Sequence, residues 1–598
     1  MTDLDPPEQT RGAPSATAAQ RSASRAPAGP DRARAPLYGP GDLPEDLGLG
    51  WAPRAQGAVR PAAPRTWLSL ASVGDLWPGE EGVLALESAA QRATLLELLA
   101  QDLAGGADGI HICLHGSADG PGPGAAALLG ELCRGEFGAR PLLLSGGRAL
   151  LAAPRLLEGR AGAVGYGVDP WRGAGLARED WIRLAALPSA PGLPSVVLSG
   201  LCIEARGGTA ELELVGLLLR LEDAAEALRT AGVPPAAAGL RIGFELALSS
   251  EVFNTIAKLR ALRRLVETWW AQFAPGSEPA PACLRAVSSQ REFDARDPWN
   301  NLLRCTYQAF AGVVGGADQI ALLPLDQPLG RRGELGQRLA RNLHTLLGEE
   351  SHLGLVEDPA LGSYALERQT EDLSRAVWER YRQQRGAGGA AAWFAPGGPL
   401  ERELDGLAAR QAQRLDSRRR IRVGVNDFVA RESTPLPPGR ALERAPEPRG
   451  PAREGAAFEA LARRGGGGAP AAVFLLNLGR QRDHHPRAAF IDGLLAVAGI
   501  EARHGRGAEG RPPAEALDAL CAEFLESALP VAIVCGRDED VRAALPGLLA
   551  RLPSGRSLYL AGRFEEFESW RRAGLAGAFH LGQDARAFLG QLLTQLGR

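Results

Sequence analysis

The chain of 598 residues, 45% of them hydrophobic, is long enough for two to four domains and has the composition of a globular protein. Its net charge of -3 at pH 7 excludes a general attraction to nucleic acid or anionic membranes, and no apolar run reaches the roughly 20 residues of a membrane span. Because the N-terminus also lacks the apolar core of a signal peptide, we expect a cytoplasmic protein with neither a nucleic-acid nor a membrane partner.

The first segment, residues 1–65, is predicted to be a disordered or extended arm. It is rich in proline, alanine, serine and arginine and lacks hydrophobic periodicity. Apolar anchors are nevertheless spaced along it between Leu37 and Trp51. Such a segment gains order by lying along a partner surface, so we expect the arm to contribute to an interface.

Residues 66–400 alternate short apolar runs with helical patterns, which indicates parallel strands joined by crossover helices. About eight such units predict a (β/α)8 TIM barrel, whose active site would lie at the C-terminal strand ends. The predicted helices include Ala89–Leu103 and Thr209–Thr230. The strand candidates are Gly109–Leu114, Pro141–Leu144, Ala163–Val168, Ser195–Ile203, Leu240–Leu246, Cys283–Val287 and Ile320–Leu323.

Residues 401–470 are predicted to be a linker, because they contain a stretch rich in proline, arginine and glycine with four glycines at 465–468. Residues 471–598 then offer four buried strands with helices between them. This pattern predicts a doubly wound α/β domain of flavodoxin type. The strands are Ala471–Leu476, Val531–Val534, Ser557–Leu560 and Ala578–Leu581.

Four segments carry recognisable motifs, and the order and spacing of these motifs are kept over more than a hundred residues. They are Phe253–Leu265, Asp297–Arg304, Gly315–Asp326 and Arg341–Tyr364. Together they resemble the barrel of the methylmalonyl-CoA mutase family, in the sequence form found in its small, non-catalytic (beta) subunits. The first segment carries Lys258, the only lysine, and Arg260. Both are compatible with surface positions on a helix, but a single retained lysine suggests a need for a compact ammonium group.

The resemblance implies that this copy is catalytically silent. Catalytic chains end a barrel strand in Ser-Gly-Tyr-His, whose tyrosine and histidine contact the substrate. The matching stretch here begins Ser199-Gly200-Leu201-Cys202. Leucine has no donor and cysteine is a weak one, so we expect no catalytic residues in this chain.

The motifs that bind cobalamin in this family are also altered in this chain. In cobalamin-binding domains of this family, Asp-x-His-x-x-Gly supplies the lower axial histidine, which the aspartate orients. Here Asp483 and His485 keep that spacing, but Ala488 replaces the glycine. The segments beside the nucleotide tail have become Val534-Cys535-Gly536 and Ala561-Gly562. Asp483 and His485 therefore form a degenerate cofactor-site candidate, and a surface loop with two histidines is the plainer interpretation.

The resemblance implies a structural subunit that stabilises a homologous catalytic large subunit in a heterodimer. That complex would interconvert methylmalonyl-CoA and succinyl-CoA with adenosylcobalamin bound by the partner. The alternative is a divergent active acyl-CoA mutase with its own cobalamin, and a stand-alone cobalamin carrier is a third possibility. In a silent barrel, we expect large side chains to fill the interior. The seven scattered cysteines show no metal-ligand spacing, so we predict no metal site.

Overall fold

Two sheets of parallel strands organise the chain, which is a mixed α/β protein. The computed structural model describes residues 68–73, 89–114, 116–117, 120–121, 123–171, 175–188, 192–277, 281–356, 358–431, 435–438, 441–443, 453–466, 471–507 and 515–598. The predicted arm, residues 1–65, lies outside these ranges. No helix in the described ranges is long and apolar enough to cross a bilayer.

The first sheet has eight parallel strands, and its order is β4-β3-β2-β1-β8-β7-β6-β5. Beyond the fourth strand, Val168 makes parallel bridges to Gly146 of the third and to Val196 of the fifth. The strands are β1 (Leu68–Val73), β2 (Gly109–Leu114), β3 (Leu142–Gly146), β4 (Val164–Gly165), β5 (Val196–Ser199), β6 (Ile242–Leu248), β7 (Cys283–Ser288) and β8 (Gln319–Ala321).

Helices alternate with these strands and pack against their apolar face, where one large buried cluster runs from Leu95 to Leu404. The helices of eight or more residues are α1 (Ala89–Ala104), α2 (Pro123–Glu131), α3 (Arg178–Ala186), α4 (Ala210–Thr230), α5 (Val252–Phe273), α6 (Pro298–Gly315), α7 (Glu334–Thr345), α8 (Tyr364–Gly386) and α9 (Pro399–Asp416). Helix α4 is capped at its start by Thr209, whose hydroxyl accepts the Leu212 N–H.

The second sheet has five parallel strands in the order β10-β9-β11-β12-β13. Its side chains alternate between two buried clusters, so helices cover both faces. The strands are β9 (Ala472–Asn477), β10 (Glu501–His504), β11 (Val531–Cys535), β12 (Ser557–Ala561) and β13 (Gly577–Phe579). The helices are α10 (Ala456–Gly466), α11 (Gln481–Val497), α12 (Leu517–Glu526), α13 (Asp538–Arg551) and α14 (Ala585–Gln595).

Residues 401–470, the predicted linker, contain most of α9 and all of α10. Leu415, Val425, Phe458 and Leu461 belong to a buried cluster of the second sheet. The connecting segment therefore contributes apolar side chains to the core that follows it.

Several predicted strands differ from the observed ones at an end, and the largest difference follows β5. The strand predicted for Ser195–Ile203 stops at Ser199, and a short helix, Leu201–Ala205, follows at once. The apolar run continues through Ile203 because that helix is also buried. A continuous apolar run cannot distinguish a buried strand from a buried helical turn.

Candidate functional site

The end of strand β5 carries the position where a substrate-contacting pair was expected to be missing. The backbone turns into the short helix at Leu201, whose side chain is completely buried in the apolar core. Cys202 lies beside it, with its Sγ 3.9 Å from a guanidinium nitrogen of Arg220. Neither side chain can donate a strong hydrogen bond to a thioester carbonyl.

Arg220 of helix α4 braces this strand end. Its guanidinium donates to the Ser199 carbonyl at 2.7 Å. It also lies over the ring of Phe394, 4.2 Å from the centroid, and faces Trp171 at 5.5 Å. A cation between two aromatic rings is held firmly, so Arg220 ties helix α4 to the end of β5.

The only lysine is buried in an ion pair and is not on the surface. Lys258 Nζ donates to Glu213 at 2.6 Å and to the Ala247 carbonyl at 2.6 Å. Glu213 in turn accepts the Ala247 N–H at 3.2 Å. Its side chain presses on Gly200, where a Cβ would come 2.5 Å from Glu213 Cγ. The compact ammonium suggested by the sequence therefore has a structural explanation.

Glu204 is a buried carboxyl at the same edge of the sheet. The Ser289 hydroxyl donates to one of its oxygens at 2.6 Å, and the other oxygen has no hydrogen-bond partner among the described residues. Burial raises the pKa of Glu204 to about 7, against the opposing effects of Ser289 and Arg291. Sequence reasoning missed this group, because nothing in the local pattern signals that its helical turn is buried.

Five charged side chains form a largely buried cluster next to Glu204, at the ends of β6 and β7. Glu454, from the connecting segment, pairs with Arg291 at 2.8 Å, with Arg420 at 3.2 Å and closely with Arg422. Arg422 also approaches Glu292 at 3.9 Å. Burial raises the pKa of Glu454, but the three guanidinium groups outweigh it and hold that pKa below its usual value. Arg420, Arg422 and Glu454 of the connecting segment are thereby fixed at this edge of the sheet.

Polar side chains, among them the large and buried Arg285, cross the face of the first sheet opposite its helices, where large side chains were expected. Arg285 of β7 reaches Ser145 of β3 at 2.5 Å and His111 of β2 at 3.3 Å. It also donates to Gln319 at 2.9 Å and lies 3.6 Å from Glu245. All five side chains are buried. Because side chains alternate along a strand, Ile112 next to His111 and Phe244 next to Glu245 face the helices instead.

The candidate cofactor pair lies on helix α11 and not in a loop. The helix begins at Gln481, and the Asp483 carboxylate accepts the Arg480 N–H at 3.1 Å, which is an N-terminal capping contact. Residues two apart on a helix do not face each other, and no hydrogen bond joins Asp483 to the exposed His485 in the described part of the chain. The pair therefore does not fit an aspartate-oriented metal ligand.

His484 is the imidazole that turns inward. It is buried, and burial lowers its pKa, followed by the effect of the neighbouring His485. The spacing motif pointed to His485, so sequence reasoning selected the exposed member of the pair. In the part of the chain that the structure describes, no group of three or more His, Cys, Asp or Glu side chains is arranged to hold a metal ion.

Arg487, one turn further along α11, occupies the carboxyl edge of the second sheet. Its guanidinium donates to the Gly536 carbonyl at 2.7 Å, pairs with Asp538, and lies 5.4 Å from the centroid of Phe564. A Cβ at Gly562 would come within 3.3 Å of it. Ligands of doubly wound sheets bind outside this edge. The segments that should border a nucleotide tail instead surround an arginine side chain.

Several known proteins are similar in sequence to this chain. The family model described as Methylmalonyl-CoA mutase matches residues 178–446. A probable methylmalonyl-CoA mutase small subunit of Mycobacterium tuberculosis is 34% identical over 395 residues, which are 62% of this chain and 60% of that protein. The methylmalonyl-CoA mutase small subunit of Streptomyces virginiae is 33% identical over 425 residues, 68% of this chain and 65% of that protein.

A large subunit is also similar. The methylmalonyl-CoA mutase large subunit of Streptomyces virginiae is 34% identical over 246 residues, which are 40% of this chain and 32% of that protein. The similarity to the small subunits is the more extensive of the two. The chain spans 60–65% of the length of the two small subunits described above.

Proposed function

The chain belongs to the methylmalonyl-CoA mutase family, and on that premise we propose that it is the non-catalytic small subunit of a heterodimeric, cobalamin-dependent mutase. Its partner is a homologous large subunit that binds the acyl-CoA substrate and adenosylcobalamin. The complex interconverts methylmalonyl-CoA and succinyl-CoA, while this chain stabilises the catalytic chain. We also propose a cytoplasmic location for the complex.

The environment of Leu201 carries the proposal. A substrate-contacting residue must present a polar group toward the substrate, whereas Leu201 is packed inside the apolar core. The edge of the sheet beside it is covered by the buried cluster that Glu454 forms with Arg291, Arg420 and Arg422. Both features support a scaffold better than an enzyme site.

The architecture of the family supports a finer description of the fold. We propose that the eight-stranded sheet is a closed (β/α)8 TIM barrel within residues 66–400, because its strands follow one another in chain order and Val168, just beyond the fourth strand, bridges the third strand and the fifth. We propose that residues 471–598 form a flavodoxin-like domain, since the strand order 2-1-3-4-5 is the flavodoxin order. Residues 401–470 connect the two, and residues 1–65 form the arm.

The cofactor belongs to the partner chain in this proposal. Adenosylcobalamin supplies the radical chemistry of the reaction, and the protein holds and orients it. Asp483 and His485 are the only remnant of a ligand motif here, and the aspartate acts as a helix cap instead. The family is expected to keep one competent cobalamin site per heterodimer, on the large subunit.

Turnover by purified chains tests the proposal. The chain alone, the large subunit from the same organism alone, and an equimolar mixture are supplied with adenosylcobalamin and methylmalonyl-CoA, and succinyl-CoA formation is followed. We expect no turnover by the chain alone, and highest activity or longest half-life for the mixture. Turnover by the isolated chain would support the divergent enzyme instead.

A further inference from the structure

Helix α6 has an unusual outward face. All of its residues, Pro298–Gly315, are described, and its exposed positions are Leu303, Tyr307 and Phe310. Leu303 is 60% exposed and Tyr307 is 57% exposed. The spacing of four and then three residues places all three on one stripe. A surface helix normally turns charged or polar residues toward water, so this stripe indicates a contact surface.

The apolar surface continues beyond one end of α6. Arg304 donates to the Val423 carbonyl at 2.7 Å and so brings residues 421–428 against the start of the helix. That segment exposes Ile421, Val423 and Phe428. Phe428 is 72% exposed and has a φ of 49°, a conformation that is rare for a bulky residue. An exposed aromatic ring held in this way is suited to insertion into a partner.

The surface also continues beyond the other end of α6. A small buried cluster joins Ile256 of α5, Ala311 and Val314 of α6, and Ala360 and Leu366. Around this cluster the same segments expose large apolar side chains: Phe253, Leu361 and Tyr364.

Arg260 holds that end in place. Its guanidinium, almost fully buried, contacts Asp358 at 2.9 Å, Glu367 at 2.5 Å and Thr370 at 3.2 Å. These contacts fix the turn that carries Leu361 and Tyr364 against helix α5. The sequence left the role of Arg260 undecided. The structure shows that Arg260 positions part of this surface.

We propose that the outward face of α6, together with its extensions at residues 421–428 and 361–364, is the surface on which the homologous large subunit docks. This inference rests on the proposed function, which supplies the partner. An uncharged stripe of leucine and aromatic residues is typical of the buried centre of a permanent subunit interface. In residues 471–507 and 515–598, by contrast, the only exposed large apolar residues are Leu525 and Leu581.

A partner of the same family suits such a surface. Streptomyces virginiae has proteins named as small and large subunits of this enzyme, and both are similar to this chain. Two homologous chains can pack corresponding faces about an approximate twofold axis, as identical chains do in a symmetric dimer. Aromatic side chains can then meet aromatic side chains at the centre.

Substituting the central aromatic residue tests the surface. The full chain carrying Tyr307→Glu is compared with the unchanged chain and with Leu581→Glu, which places the same charge at another exposed apolar residue. Binding of each to the purified large subunit from the same organism is titrated. We expect Tyr307→Glu to weaken binding at least about 30-fold, the effect of removing one interface hot spot, and Leu581→Glu to leave it unchanged. Leu303→Glu serves as a second variant on the stripe, and thermal unfolding confirms that all variants fold.

The outcomes separate the surface from the proposed function. Unchanged binding by both Tyr307→Glu and Leu303→Glu, with the unchanged chain still binding, would overturn the surface alone. If the unchanged chain did not bind the large subunit at all, the proposed function would fail. A homodimer of this chain that Tyr307→Glu dissociates would assign the surface to a second copy and overturn the inference.

Discussion

Glu204 shows how a single buried group makes stability depend on pH. Its pKa in the folded chain is about 7, against 4.5 for the ordinary group. Between these two values the unfolded chain loses the proton while the folded chain keeps it, so folding stability falls as pH rises from about 4.5 to about 7. Above that window Glu204 is ionised in both the folded and the unfolded chain, so its destabilising effect no longer changes with pH.

Glu204→Gln removes this dependence, because an amide stays neutral and can still accept the Ser289 hydrogen bond. We expect the substitution to stabilise the chain by about 3 kcal/mol at pH 8 and to have little effect at pH 4.5, since one pKa unit corresponds to about 1.4 kcal/mol. Denaturant unfolding at both pH values measures the difference. Equal effects at the two values would show that Glu204 is ionised throughout.

Lys258 and Arg260 illustrate what the sequence can and cannot indicate at this scale. The presence of one lysine in an arginine-rich chain predicted a need for its compact ammonium, and Lys258 does contact Glu213 in a buried site. The roles of the two residues could not be predicted, because Glu213 and Thr370 are distant in sequence from residues 258 and 260. Long-range pairing depends on the fold.

Arg487 of helix α11 defines the carboxyl edge of the second sheet. Replacing it with methionine keeps an unbranched apolar chain in place of the aliphatic part of arginine but removes the guanidinium contacts with Gly536 and Asp538. We expect Arg487→Met to lower the free energy of unfolding by about 1–2 kcal/mol, the usual cost of losing a charge-assisted hydrogen bond. Arg482→Met, at an exposed position on the same helix, is the matched control and should change stability by less than about 0.5 kcal/mol. A loss that is equal in both variants would contradict the role assigned to Arg487.

The elements of the fold were predictable where their patterns were strong. The strand at Gly109–Leu114 is confirmed over its full length, and helix α4 is confirmed to within one residue of its predicted start. Strand β10, Glu501–His504, was missed because it lies at the edge of the sheet and three of its four side chains are exposed. Such a strand has no hydrophobic alternation to detect.

The family could be identified from the sequence, but the contacts that the candidate site residues make could not be predicted from it. The family match over residues 178–446 includes all four segments that carried the resemblance. The resemblance also predicted that Leu201 and Cys202 stand where catalytic chains carry the substrate-contacting pair. It could not show that Asp483 caps a helix, because the same spacing occurs in loops and helices. It could not show that Arg285 spans the first sheet, because that network joins strands far apart in the chain.

At the scale of the whole molecule, the two sheets are linked by specific polar contacts. Arg296, after β7, donates to the Ala496 and Val497 carbonyls at 2.7 Å each, at the C-terminal end of α11. A cation at this end of a helix satisfies free carbonyl groups. The part of the chain around the second sheet is thereby attached to the part around the first sheet. Side chains of the first part and of the connecting segment make the attachment, which suits the proposed role as a scaffold.

The cobalt content of the assembled heterodimer tests the central claim most directly. The complex of this chain with the large subunit is saturated with adenosylcobalamin, freed of excess cofactor, and analysed for cobalt and protein. We expect one cobalt per heterodimer, unchanged when this chain carries His485→Ala. Two cobalt atoms per heterodimer, falling to one with His485→Ala, would show that this chain binds cobalamin itself and would contradict the account.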